Sequence, residues 1–338
     1  LNLLNATTID YDHRTPSLTP EQTPFMSIPY TLSIIVPVYN SEESLPVLVA
    51  RLAPILPTLT TDYELILVND GSRDRSGTVI AALAAAHPWV RGILLMRNYG
   101  QHNALLCGIR AARMTVIVTM DDDLQHPPEE ISHLLERLHA GDLDVVYGTP
   151  RNEQHGFFRD LASQLTKMVL QSSMGVDTAR KVSAFRVFRT QLRDAFATYR
   201  SPYVSIDVLL TWATTRFDSL PVQHDPRRYG TSQYTFRKLV VHTFNMLTGF
   251  SVLPLQLASY LGFSLAGFGV VVFLFVVFRY LIEGGSVPGF PFLASIVAIF
   301  SGVQLFALGI MGEYLARMHY RLMDKPSYTV RERIGDES

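Results

Sequence analysis

From Thr243 to Phe278, and again from Gly284 to Gly312, no side chain carries a charge. A helix needs about 20 mainly apolar residues to cross a bilayer, and each run is longer than that. Hydrocarbon offers the backbone no hydrogen-bond partners, so both runs are expected as helices. They are placed near Leu255–Ile282 and Phe292–Leu315, joined by the Gly- and Pro-rich "EGGSVPGFPF". Two buried helices of a soluble protein are the competing reading, and runs this long fit it poorly. Arg317, Arg321, Lys325, Arg331 and Arg333 follow the second run, whereas the connector offers Arg279 and Glu283. The positive-inside rule then keeps both ends of the pair in the cytoplasm, as in a multi-pass protein of the inner (plasma) membrane.

Ahead of these runs the pattern is different. Leu32–Val38, Glu64–Val68, Ile93–Met96, Val116–Met120 and Val145–Tyr147 are short, β-branched and nearly continuous in apolar character. Strands covered on both faces read this way. Helical stretches near Glu43–Ala53, Arg75–Ala86, Ala104–Ala112 and Pro128–His139 alternate with them. The alternation predicts an α/β domain with a mostly parallel sheet. Ligands in such sheets bind beyond the carboxyl ends of the strands, where Asn40, Asn69, Asp70 and Asp121–Asp123 stand. Residues 157–174 have the spacing of an amphipathic helix, suited either to core packing or to a membrane interface. The expected organisation is a disordered tail (1–31), a catalytic domain (32–237), a membrane region (238–316) and a cytoplasmic C-terminal tail (317–338).

Lys and Arg number 29 against 30 Asp and Glu, so no nucleic-acid footprint is expected. Cys107 is the only cysteine, which excludes a disulfide within the chain and suits a reducing compartment. The first 24 residues are polar and rich in Pro and Thr, without the apolar core of a signal peptide. Met26 is a plausible native start.

The chemistry-bearing stretch is "VTMDDDLQHPP", in which a strand runs into three adjacent carboxylates. Carboxylates this close resist ionising together unless a cation or solvent screens them. If the strand stays extended, Asp121 and Asp123 face one side, and Gln125 adds a neutral oxygen two residues on. Such hard oxygen donors suit Mg2+ or Mn2+, bound through one or two carboxylates together with substrate phosphates. A glycoside hydrolase would need two carboxyls on opposite sides of the sugar, usually from separate elements. Neither a P-loop, a strand-linked G-x-G-x-x-G, nor H-E-x-x-H occurs.

"SIIVPVYNSEESLPVL", "YELILVNDGSRDRS", "RNYGQHNALLCGI", "MDDDLQHPPEEI", "VVYGTPRN" and "RRYGTSQYTFRKL" follow one another in the order seen in family 2 glycosyltransferases with a GT-A fold. Within that family the chain resembles the polyprenyl-phosphate glycosyltransferases, and "RNYGQHNAL" is nearest their aminoarabinose-transferase branch. The resemblance runs from about Leu32 to Tyr328 and includes the paired C-terminal spans. It implies a Rossmann-like GT-A catalytic domain followed by two transmembrane helices. The implied activity is inverting transfer of a sugar from a UDP-linked nucleotide sugar to polyprenyl (undecaprenyl) phosphate, for cell-envelope glycosylation or lipopolysaccharide modification. A homo-oligomer, a tetramer, is also implied.

By the same resemblance, Asp123 and Gln125 hold the metal on the donor diphosphate, and Asp121 lines the sugar. Pro37, Tyr39, Asn40, Asp70, Gln101 and Asp122 belong to the donor site. Arg227 and Ser232, in R-x-x-G-x-S, close over the diphosphate, and Arg227 shares the catalytic role with the two aspartates. Arg151 and Arg159 meet the lipid phosphate. Two departures stand out: Ser41 occupies the place where the family usually has Glu, and Arg180 and Val182 precede the Phe185–Arg186 pair in place of an acid and a glycine. A processive polysaccharide synthase would carry Q-x-x-R-W, yet Trp89 and Trp212 lie in no such context. A non-catalytic membrane scaffold would have no use for Asp123 and Gln125.

Overall fold

The computed structural model describes residues 30–151, 182–225, 252–283 and 289–336. Arg159, Arg227, Ser232, the amphipathic stretch 157–174 and the boundary near residue 237 lie outside these residues, as does most of the polar N-terminus.

The apolar runs become strands: β1 (Leu32–Val38), β2 (Tyr63–Asn69), β3 (Val90–Leu95), β4 (Val116–Thr119) and β5 (Val145–Pro150). Between them lie α1 (Ser44–Leu59), α2 (Ser76–Ala86), α3 (Gln101–Ala111) and α4 (Ile131–Ala140). Then follow β6 (Arg186–Arg189), α5 (Ile206–Ala213), β7 (Phe217–Val222), the long helices α6 (Leu253–Glu283) and α7 (Phe290–Leu322), and β8 (Val330–Ile334).

The alternation of β1 divides the core. Leu32, Ile34, Val36 and Val38 face the layer formed by α1, α2 and α4, while Ile35 faces α3 and α5. Helix α1 outlasts its expected end at Ala53 despite Pro54 and Pro57. Its buried Leu52, Leu56 and Leu59 keep it on the sheet, and this packing outweighs the interior prolines.

Among the described residues the sheet has eight strands, in the order β7-β5-β6-β4-β1-β2-β3-β8. It is parallel through β4-β1-β2-β3 and again at β5-β7, but β6 and β8 run antiparallel to their neighbours. The sheet is therefore mixed, but mostly parallel as expected, since all of its strands except β6 and β8 run in one direction. Strand order reverses between β1 and β4, the point where sheets of this kind leave a ligand crevice at the carboxyl edge. Pro37 has a part in opening it. The Ile35 carbonyl accepts the Met120 N–H at 3.2 Å, the last ladder bond on that side. The next donor toward β4 would be residue 37, and a proline has none.

The segment expected as a C-terminal tail (317–338) contains a strand. After α7 the chain returns to the sheet, where β8 pairs with β3 from Leu95↔Val330 to Gly92↔Ile334. Beyond it, Asp336 accepts hydrogen bonds from Arg91 and from Arg113, the latter at 3.0 Å. Arg91 also pairs with Glu64, which is 3% exposed and takes the Ser33 hydroxyl at 2.6 Å and the Arg113 N–H at 2.7 Å.

Helices α6 and α7 contain apolar stretches, Pro254–Ile282 and Ile299–His319, of mean hydropathy 2.6 and 1.4, long and apolar enough to cross a membrane. Their large side chains, such as Phe263, Leu281 and Leu305, face outward. The two helices meet where the Phe300 ring lies 3.3 Å from the point a β-carbon on Gly269 would occupy.

The buried ion pair yields a prediction. Glu64→Leu leaves Arg91 without its innermost carboxylate, which costs about 3–5 kcal/mol. Thermal unfolding of the detergent-purified protein should shift down by several degrees, and an unchanged midpoint would refute this role.

Candidate functional site

The crevice between β1 and β4 is walled by two turns. On the β1 side, Tyr39 and Asn40 leave the strand, Asn40 in the left-handed region at φ 56°. The Asn40 N–H donates to the Ser72 hydroxyl at 3.0 Å, and its side-chain oxygen accepts the Arg73 N–H at 2.8 Å. The turns after β1 and β2 are thereby locked together. Gly71, at φ 66°, sits where a β-carbon would meet the Arg97 and Asn98 backbone at 2.5 Å, so no other residue fits. Pro37 itself is buried within β1.

Asp70 is also buried, and its two oxygens accept the Tyr99 and Gly100 N–H groups at 2.7 and 2.8 Å. Burial raises its carboxyl above the ordinary value, an effect that those amides and the Arg97 charge only partly offset. Asp70 therefore builds the start of α3. In the first turn of that helix, Gln101 donates from Nε2 to Asp121 at 2.7 Å.

The acidic stretch is not extended. Strand β4 ends at Thr119, and a turn follows with Leu124 in the left-handed region at φ 62°. The expectation that Asp121 and Asp123 share one face of a strand is therefore corrected: a hooked turn presents them. Leu124 and His126 point inward and are buried, while Asp121, Asp123 and Gln125 remain partly exposed. The His126 ring stacks on Phe185 at 5.2 Å, and its Nδ1 accepts the Asp121 N–H at 3.3 Å. Burial, with His224 beside it, pushes this imidazole down to about 4, so it stays neutral. Asp123 accepts the Gln125 N–H at 3.1 Å.

Asp122 turns toward β1, where it accepts the Ser41 hydroxyl and the Tyr39 N–H. Its desolvation pushes the carboxyl up to about 6, with the Asp123 charge adding to the rise and the Ser41 and Tyr39 bonds opposing it. Ser41, which stands in the sequence as a departure, is thus the residue that ties the two turns together. Its position beside the Tyr-Asn pair was the one available signal. His126 was missed because a histidine between acids and prolines reads as a surface residue.

Among the described residues, no three His, Cys, Asp or Glu side chains converge as a metal cage. Asp123 and Gln125 instead offer two oxygen donors on an open turn. That fits a hard cation whose remaining ligands are water and substrate phosphates. Arg151 is exposed just beyond β5, at the same edge of the sheet as Asp121.

The family described as Glycosyl transferase family 2 matches residues 33–200. The chain is 36% identical over 311 residues to the undecaprenyl-phosphate 4-deoxy-4-formamido-L-arabinose transferase of Shewanella sediminis, covering 91% of this chain and 93% of that one. It is 35% identical over 311 residues to the transferase of the same name from Pseudomonas fluorescens, covering 91% of each. Among solved structures, a mycobacterial protein aligns with TM-score 0.50 at 20% identity, over 70% of this chain and 78% of that one. Glucosyl-3-phosphoglycerate synthase from Mycobacterium tuberculosis, in complex with Mn2+, UDP and phosphoglyceric acid, aligns with TM-score 0.46 at 16% identity, over 65% and 77%. The mixed α/β sheet is that of the GT-A fold.

The Ser41–Asp122 contact is open to a double-mutant cycle. Ser41→Ala should cost about 1.5 kcal/mol of stability, and much of that loss should vanish in an Asp122→Ala background. Additive losses in thermal unfolding would show that the two turns are not coupled through this bond.

Proposed function

The chain belongs to glycosyl transferase family 2, and from that premise we propose that it transfers a sugar from a UDP-linked nucleotide sugar to undecaprenyl phosphate at the cytoplasmic face of the inner membrane. The observation that carries this reading is the route of the chain after α7. β8 begins beside Leu95, at the carboxyl end of β3, so the apolar helices rejoin the domain at the same edge as the crevice. An acceptor phosphate at headgroup level then lies on the side where Asp121 and Arg151 stand. The names of the relatives support undecaprenyl phosphate as the acceptor, and their 4-deoxy-4-formamido-L-arabinose is the first sugar to test.

A phosphate monoester has a second pKa of about 6, so the acceptor is already largely dianionic at neutral pH. Its oxygen attacks the anomeric carbon, the bond from that carbon to the diphosphate oxygen breaks, and the configuration inverts. Asp121, steered by Gln101, orients the sugar. Tyr39, Asn40 and Asp122 form the nucleoside side, with Asp70 holding the wall behind them. Asp123 and Gln125 would hold Mg2+ or Mn2+, which supplies charge neutralisation on the departing diphosphate. Arg227 and Ser232 are proposed to close over that diphosphate, and Arg151 and Arg159 to receive the lipid phosphate through paired N–H donors. A homo-oligomer remains part of this reading.

Wild-type protein in vesicles with undecaprenyl phosphate and a panel of UDP-sugars should yield a polyprenyl-phosphate sugar detectable by mass spectrometry. Asp123→Ala should lower turnover by about 100-fold or more while the protein stays folded, and EDTA should do the same reversibly on adding Mn2+. Full activity in chelator would remove the metal from the mechanism.

The same reading places both flanks of the helical pair in the cytoplasm. A cysteine introduced as Ser286→Cys, in a Cys107→Ser background, should react with an impermeant thiol reagent in intact cells. Labelling only after permeabilisation would invert the topology.

A further inference from the structure

Arg317 lies near the end of α7, and among the described residues of that helix it alone is buried. Its guanidinium carbon stands 4.5 Å from the centre of the Tyr203 ring, and a terminal nitrogen donates to Glu313 at 2.7 Å. A cation at the end of an apolar helix is costly to desolvate, and an aromatic face with a carboxylate offsets that cost. Tyr203 belongs to the short segment 199–205 that leads into α5. Beyond the helix the same segment is fastened twice more. Arg200 pairs with Asp324 at 2.8 Å, and the Ser327 hydroxyl donates to the Ser201 carbonyl at 2.8 Å.

On its other side the segment grips the start of α3. Asn103 donates to the Pro202 carbonyl at 3.3 Å, and the His102 Nδ1 accepts the Ile206 N–H at 3.3 Å. Gln101, the residue that steers Asp121, precedes both in the same turn. A continuous set of contacts thus runs from the last turns of α7 through Tyr203 to the sugar-facing carboxylate.

We propose that Tyr203 and Arg317 are positioning residues for the lipid acceptor: they fix the height and rotation of the catalytic domain on α7, so that a phosphate held at the headgroups reaches the anomeric carbon. The inference rests on the function proposed above. Attack requires the reacting atoms about 3–3.5 Å apart, and a displacement of about 1 Å can cost roughly 100-fold in rate. A membrane-bound acceptor cannot follow a domain that tilts, whereas a soluble one can.

The test uses the full chain, with undecaprenyl phosphate in vesicles and, separately, geranyl phosphate free in detergent solution. Tyr203→Leu and Arg317→Ala should lower turnover with undecaprenyl phosphate by about tenfold or more, with the KM for nucleotide sugar unchanged. Turnover with geranyl phosphate should stay within about twofold of wild type. Tyr203→Phe, which keeps the ring, should behave as wild type with both acceptors. Equal losses with both acceptors would mean a general folding role and overturn the proposal, as would wild-type rates for Tyr203→Leu in vesicles. A wild-type protein inactive with both acceptors would overturn the functional reading, and this inference with it.

Discussion

The site depends on where β1 and β4 stop bonding to each other. Up to Ile35 the two strands form an ordinary parallel ladder, and at Pro37 the donor that would continue it is missing. The strands then part at the point where the strand order reverses. The two polar turns on either side then meet through Asp122, which accepts the Ser41 hydroxyl and the Tyr39 N–H. A residue with an N–H at position 37 could extend the ladder toward Met120 and narrow the opening.

With the strands parted, three neighbouring carboxylates become tolerable because each goes a different way. Asp121 takes a side-chain amide from α3, Asp122 reaches the β1 turn, and Asp123 takes an N–H within its own turn. The left-handed Leu124 makes this divergence possible, since its buried side chain anchors the hook while its neighbours point out. The cluster is therefore a set of separately supported groups, only some of which remain open to a ligand.

The parallel half of the sheet was legible in the sequence because its strands are covered on both faces and read as unbroken β-branched runs. Strands β6 and β7 were not legible. β6 is four residues long and bounded by Arg186 and Arg189, and β7 carries Asp218 and Pro221 within a largely half-exposed stretch. Nor was β8, whose "VRERI" reads as a charged tail; edge strands need no apolar alternation, and its outer face is solvated. For the carboxylates the expected local geometry was wrong, because nothing in the sequence "MDDDLQ" announces a left-handed leucine. The two apolar runs were the clearest signal, and they emerged as helices with nearly the expected bounds, except that the second continues from Leu315 to Leu322.

The eighth strand also imposes an order of events. β8 follows both long helices in the chain, so the edge of β3 has no partner while those helices are being synthesised. An unpaired strand edge invites association with other chains. The interval lasts as long as the two apolar helices take to be made, and the α/β half of the molecule cannot complete its sheet before then. A delay in making those helices would therefore first appear as aggregation of the α/β domain, even though every residue of that domain except the closing strand had already left the ribosome.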